Sequence, residues 1–198
     1  MLHNFMEKAL VRDSALYPWL MQLDRDLAQE AKERGCPVCQ GRLDSAAYPR
    51  KPRGGPDDLG DDYSRRLSFC CDTEGCRRRM TPPSVRFLGR RVYLGAVVVL
   101  LSAMLHGATP PRAARLRELF GVSARTLARW RLWWQTAFAQ STFFKAARGL
   151  LHSAPEVARL PLTLLRCFGP SDDRDEIIAS LRFLSPITTA SAKGGMAF

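Results

Sequence analysis

Four segments of the chain carry an apolar pattern. The run LMQLDRDLAQEAKERG, Leu20 to Gly35, has helical periodicity and meets a glycine, a good helix stop. The most apolar stretch, VYLGAVVVLLSAML, runs from Val92 to Leu105, with Arg90 and Arg91 before it and His106 after it. A membrane-crossing helix needs about 20 apolar residues, so this shorter run predicts a buried helix. In PPRAARLRELFGVSARTLARWRLWW, Pro110 and Pro111 suit a first helical turn, and Leu116, Leu119 and Phe120 share one face. Gly121 breaks that helix. Ser123 caps the next, which is expected from Ala124 through Trp134 with Leu127, Trp130 and Trp134 buried and Trp133 exposed. Downstream, QTAFAQSTFFKAARGLL reads as helix, and looser segments follow, broken by Pro155, Pro161 and Pro170. A short helix over DDRDEIIASLRFL has the acidic first turn that the helix dipole favours, and the tail TTASAKGGMAF is expected to fray.

Between these segments, YPRKPRGGPDDLGDDYSRR is rich in Pro, Gly and charge and reads as a loop. The expected fold is mainly α with a small β zinc ribbon. Its expected parts are an N-terminal helical segment (1–34), a four-cysteine zinc ribbon (35–90), a helix-turn-helix domain (91–150), and C-terminal helices with a flexible tail (151–198).

Charge adds a partner class. The 198 residues carry a formal net charge of +11. From Arg77 to Gln135 there are 12 arginines, no lysine and one acid, Glu118, so this segment holds all of the net charge. A localised basic stretch points to a polyanion, nucleic acid before an acidic membrane surface. The first twenty residues lack the apolar core of a cleavable signal, so a reducing, cytoplasmic, nucleoid-associated setting is expected, without membrane. Disulfides are then disfavoured and the six cysteines need another role.

Cys36 and Cys39 form C-P-V-C, a spacing that lets two thiolates face one tetrahedral ion. The second pair comes from Cys70, Cys71 and Cys76. The register aromatic-x-Cys-x4-Cys, with Phe69 leading, favours Cys71 and Cys76; Cys70 with Cys76 is the alternative. Four cysteine ligands leave no open coordination position, so the zinc is expected to be structural. It would staple a segment too small to bury its own core.

In helix-turn-helix docking the second helix enters the major groove, led by its N-terminal half. Ser123, Arg125, Thr126 and Arg129 would then face bases or flanking phosphates. Arg112 and Arg115 on the first helix would lie near the DNA backbone. The join from zinc site to apolar helix adds Arg77, Arg78, Arg79, Arg86, Arg90 and Arg91, expected as a continuous basic face. The only acidic cluster in the C-terminal third, Asp172, Asp173, Asp175 and Glu176, reads as a helix N-terminus. No catalytic arrangement is visible, and His3, His106 and His152 are scattered.

A four-cysteine ribbon, then RRRMTPPSVRFLGRRVYL, then a helix-turn-helix ending in tryptophans resembles the N-terminal DNA-binding parts of bacterial insertion-sequence transposases over roughly Cys36 to Gln135. The resemblance implies recognition of double-stranded DNA at element ends by a non-enzymatic component. A separate transposase or recombinase would do the chemistry, and a homodimer would be compatible. Two other readings stand beside it: a transcriptional regulator at promoters, and a protein-interaction module with incidental nucleic-acid contact.

Overall fold

A computed structural model describes residues 6–8, 10, 15–88, 93–169 and 172–189. The described chain is mainly helical, with a small antiparallel sheet beside a cluster of cysteines. Helix α1 spans Leu16–Glu33 and is followed by strands β1 (Leu43–Ser45), β2 (Tyr48–Pro49), β3 (Arg65–Arg66), β4 (Phe69–Cys71) and β5 (Arg79–Met80). The longer helices after them are α2 (Gly95–Met104), α3 (Pro110–Leu119), α4 (Ala124–Trp133), α5 (Thr142–Ala147) and α6 (Asp173–Leu184).

β4 is the middle of a three-stranded antiparallel sheet. Leu43 of β1 lies opposite Cys71, and Phe69 lies opposite Met80 of β5. β2 and β3 pair separately, Tyr48 opposite Arg66. Alternation along β4 buries Phe69 and Cys71 and leaves Cys70 half-exposed on the other face. The strands are too short to enclose a core, so Leu43, Phe69, Cys36 and Cys71 pack on Ala28 and Ala31 near the C-terminal end of α1. The N-terminal half of α1 instead contributes Leu16, Tyr17, Leu20 and Leu23 to the main core. One helix therefore joins the two apolar clusters.

Helix α2 is the centre of that main core. Ala96 through Leu101, Ala103 and Met104 are fully buried, as expected for a helix apolar on every side. It contacts both α4 and α6. Among the described residues no helix is long and apolar enough to cross a membrane.

Helices α3 and α4 are joined by a turn at Gly121 (φ 58°), a left-handed conformation that glycine adopts without penalty. Tyr93, just before α2, donates its hydroxyl to the Gly121 carbonyl at 2.8 Å, fixing the turn to the core. Ser123 caps α4, its hydroxyl accepting from the Thr126 amide at 3.2 Å. Two side-chain expectations need correction. Leu119 is about half exposed, because the buried stripe of α3 narrows to Leu116 and Phe120. Trp133 is buried (6% exposed), whereas Leu132 is 61% exposed. Trp130 packs edge-on to Tyr93 at 5.2 Å, and Trp133 lies 5.4 Å from Phe138, so α4 buries a broad arc. One π-helical turn, Trp134–Phe138, continues α4 and brings Trp134 to 5.0 Å from Phe138. The acidic cluster forms the start of α6, where the Asp172 carboxylate accepts from the Arg174 and Asp175 amides at 2.9 and 2.8 Å.

Arg86 departs most from its expected place. It is completely buried and paired with buried Asp24 of α1, Nε to Oδ2 at 2.8 Å. Its terminal nitrogens donate to the Tyr63 and Arg65 carbonyls at 2.9 and 3.1 Å. The Asp24 carboxylate also accepts from the Ser84 hydroxyl (2.6 Å) and the Val85 amide (2.7 Å). A buried ion pair tolerates burial only when its remaining donors and acceptors are satisfied, as they are here. Arg86 thus anchors α1 to the chain leaving the small sheet and is not part of a basic surface. Arg90 and Arg91 lie outside the described residues.

Candidate metal centre and basic surface

The cysteine cluster is built from two turns. After α1, the chain turns through Cys36–Gly41, with the Cys36 amide donating to the Gly41 carbonyl at 2.9 Å and Gln40 at φ 62°. After β4, the Cys71 amide donates to the Arg78 carbonyl at 2.9 Å, and Arg77 has φ 41°. In each turn the residue just after the second cysteine is left-handed, which curls the backbone around the sulfurs.

The sulfurs of Cys36, Cys39, Cys71 and Cys76 all lie within 4.8 Å of one another. Cys36 and Cys76 are 3.7 Å apart, Cys39 and Cys71 3.4 Å. A zinc–sulfur bond of about 2.3 Å makes the edge of a tetrahedral site about 3.8 Å. The set therefore fits one tetrahedral thiolate-binding ion. Cys70 sits apart, its thiol directed at the Arg77 carbonyl 3.5 Å away. The choice between Cys70 and Cys71 falls to Cys71 because strand pleating turns only that side chain towards the other three sulfurs.

Electrostatics agree with the geometry. Cys39 is drawn down to about 6, chiefly by the Gly41 backbone amide, then by hydrogen bonds from Cys71 and the Thr73 hydroxyl. Cys36 is lowered by the Cys39 and Val38 amides. Cys76 is pushed up to about 12: the Arg78 amide pulls it down, but its hydrogen bond to Cys39, burial, and Cys36 and Cys71 outweigh that pull. Four thiolates cannot coexist this closely without a cation, so protons stay shared between sulfurs until a metal displaces them. Gly41 closes the cage. A Cβ there would collide with the Thr73 hydroxyl and come within 3.2 and 3.3 Å of the Cys71 and Cys39 sulfurs. In the sequence Gly41 and Thr73 carry little signal; a glycine two residues past the C-x-x-C is the available one.

The arginines separate into groups. Arg77, Arg78 and Arg79 are exposed at the second turn and β5. Ser123, Arg125 and Arg129 are exposed on α4, with Thr126 half-buried between them; Arg129 reaches the Thr126 hydroxyl at 3.4 Å. Arg115 is exposed and pairs with Glu7 at 3.0 Å. Arg112 is half-buried, with Nε and one terminal nitrogen out of solvent and lacking a protein partner.

Comparison with known protein families, curated proteins and solved structures gives no match.

Proposed function

We propose that the chain is a zinc-stabilised protein that binds double-stranded DNA, with α3, the Gly121 turn and α4 acting as a helix-turn-helix. The observation that carries this reading is the outer face of α4. Arg125 and Arg129 project from a helix whose other side is clamped by Trp130, Trp133 and Trp134. A rigid helix presenting arginines one turn apart can offer bidentate donors to guanine edges in a major groove. The Ser123 cap leaves the start of α4 exposed, where Thr126 and the flanking arginines could meet phosphate. Arg77, Arg78 and Arg79 supply further sequence-independent charge. The metal, held by Cys36, Cys39, Cys71 and Cys76, is structural zinc in this account: four protein sulfurs complete a tetrahedron and leave no site for substrate. The protein then acts as the recognition component of a mobile element, beside a separate recombinase.

The test is duplex binding by zinc-loaded protein across a salt series, for wild type and for Arg125→Ala/Arg129→Ala. Phosphate neutralisation gives a slope of about −0.9 per contact in log affinity against log salt, so wild-type affinity should fall steeply with salt, while the double variant should lose affinity mainly for its preferred duplex. Binding that ignores salt, or ignores both substitutions, rejects the reading. One observation favours a rival. Leu132 is exposed on α4 and offers an apolar contact beside the arginines. Tight binding to a protein partner with only weak, salt-screened DNA affinity would establish that alternative.

A further inference from the structure

Helices α2, α3 and α4 line a half-open cavity of about 310 Å³ that neither the metal centre nor the arginine face of α4 uses. Its walls are largely alkyl: Leu105 at the end of α2, Leu127 and Ala128 of α4, and Leu160. Leu160 is held in place because His106 Nε2 and the Gln135 amide both approach the Ala158 carbonyl, at 3.2 and 3.1 Å. Two cations line the same space, Arg117 of α3 and Arg131 of α4. No carboxylate lines the cavity, and neither arginine has an acidic partner among the described residues.

We propose that this cavity binds a small amphipathic anion, its short aliphatic body against Leu105, Leu127 and Leu160 and its carboxylate or phosphate head on Arg117 and Arg131. The volume lies at the small end of ligand sites, which suits a short chain. Planar guanidinium groups favour an oxyanion over a neutral polar head. A purely apolar guest would leave both cations unmatched. The inference is independent of what the outer face of α4 binds.

The test uses zinc-loaded full chain with labelled leucine methyl groups, titrated in DNA-free buffer with hexanoate, hexyl phosphate and hexanol. At least one of the two anions should cause saturable shifts at Leu105, Leu127 and Leu160. It should bind at least about tenfold more tightly than hexanol, the discrimination expected from hydrogen bonds to a charged head. Which anion binds more tightly identifies the head group. Arg117→Gln/Arg131→Gln should bring the anion down to hexanol's affinity, and Ala128→Leu, which fills the cavity, should abolish binding with the remaining methyl spectrum unchanged. No saturable shift with either anion, equal binding of hexanol, or undiminished anion binding by the arginine double variant would overturn the proposal.

Discussion

Replacing Asp24 with alanine should be among the most damaging single changes to the fold. It removes three acceptor contacts at once: to Arg86 Nε at 2.8 Å, Ser84 Oγ at 2.6 Å and the Val85 amide at 2.7 Å. It leaves the Arg86 guanidinium fully buried with only the Tyr63 and Arg65 carbonyls and the Tyr63 and Phe87 rings, at 4.8 and 4.9 Å, around it. Breaking one side of a buried pair costs about 3–5 kcal/mol. With a urea dependence of about 2 kcal/mol per molar, the unfolding midpoint should fall by about 2 M. The assay is equilibrium urea unfolding of zinc-loaded protein, followed by tryptophan fluorescence and circular dichroism. The coupling is the sharper readout. Arg86→Met should cost about 2 kcal/mol less in the Asp24→Ala background than alone, because the stranded charge is already gone. A midpoint within about 0.5 M of wild type, or strictly additive costs, would refute the claim that this pair joins α1 to the rest of the molecule.

Other outcomes follow from the same geometry. One zinc per chain should bind, and cobalt substitution should give the intense charge-transfer absorption of a tetrahedral four-thiolate site, lost in Cys71→Ser and retained in Cys70→Ser. Zinc affinity should rise with pH: with Cys39 near 6 and Cys76 near 12, binding at neutral pH expels protons, and acidification through 6 reprotonates Cys39 and weakens the metal. Chelator competition between pH 5.5 and 8 checks this, and a flat profile would contradict it. Gly41→Ala should weaken zinc at least about tenfold in the same competition, since its Cβ must displace the Thr73 hydroxyl and press on the Cys71 and Cys39 sulfurs. Arg125→Ala should relax base preference at one position at a cost of about 1–3 kcal/mol; an equal loss on every duplex would make it a phosphate contact.

The parts of the fold legible in the sequence are those fixed by local chemistry. C-P-V-C, the strand register at Phe69–Cys71, the Ser123 cap and the Gly121 turn each depend on a few neighbouring residues, and each is where its local rule puts it. Asp24 and Arg86 were illegible because charges in a periodic helix and in an arginine-rich run read as surface, and only tertiary structure pairs residues 62 positions apart. The burial of Trp133 is hidden from a single-stripe reading of α4, because contacts with Tyr93 on one side and Phe138 on the other bury a wider arc. The Arg117–Arg131 cavity had no local signature, since its walls come from three helices and the segment around Leu160.

The most direct test of DNA recognition is selection of binding sites from a random duplex pool with zinc-loaded protein at moderate salt. The account predicts that a single short motif emerges and that Arg125→Ala degrades it at a defined base. Recovery of bulk DNA with no motif would contradict it, reducing the arginines to a nonspecific charge and turning attention to a protein partner for the exposed face around Leu132.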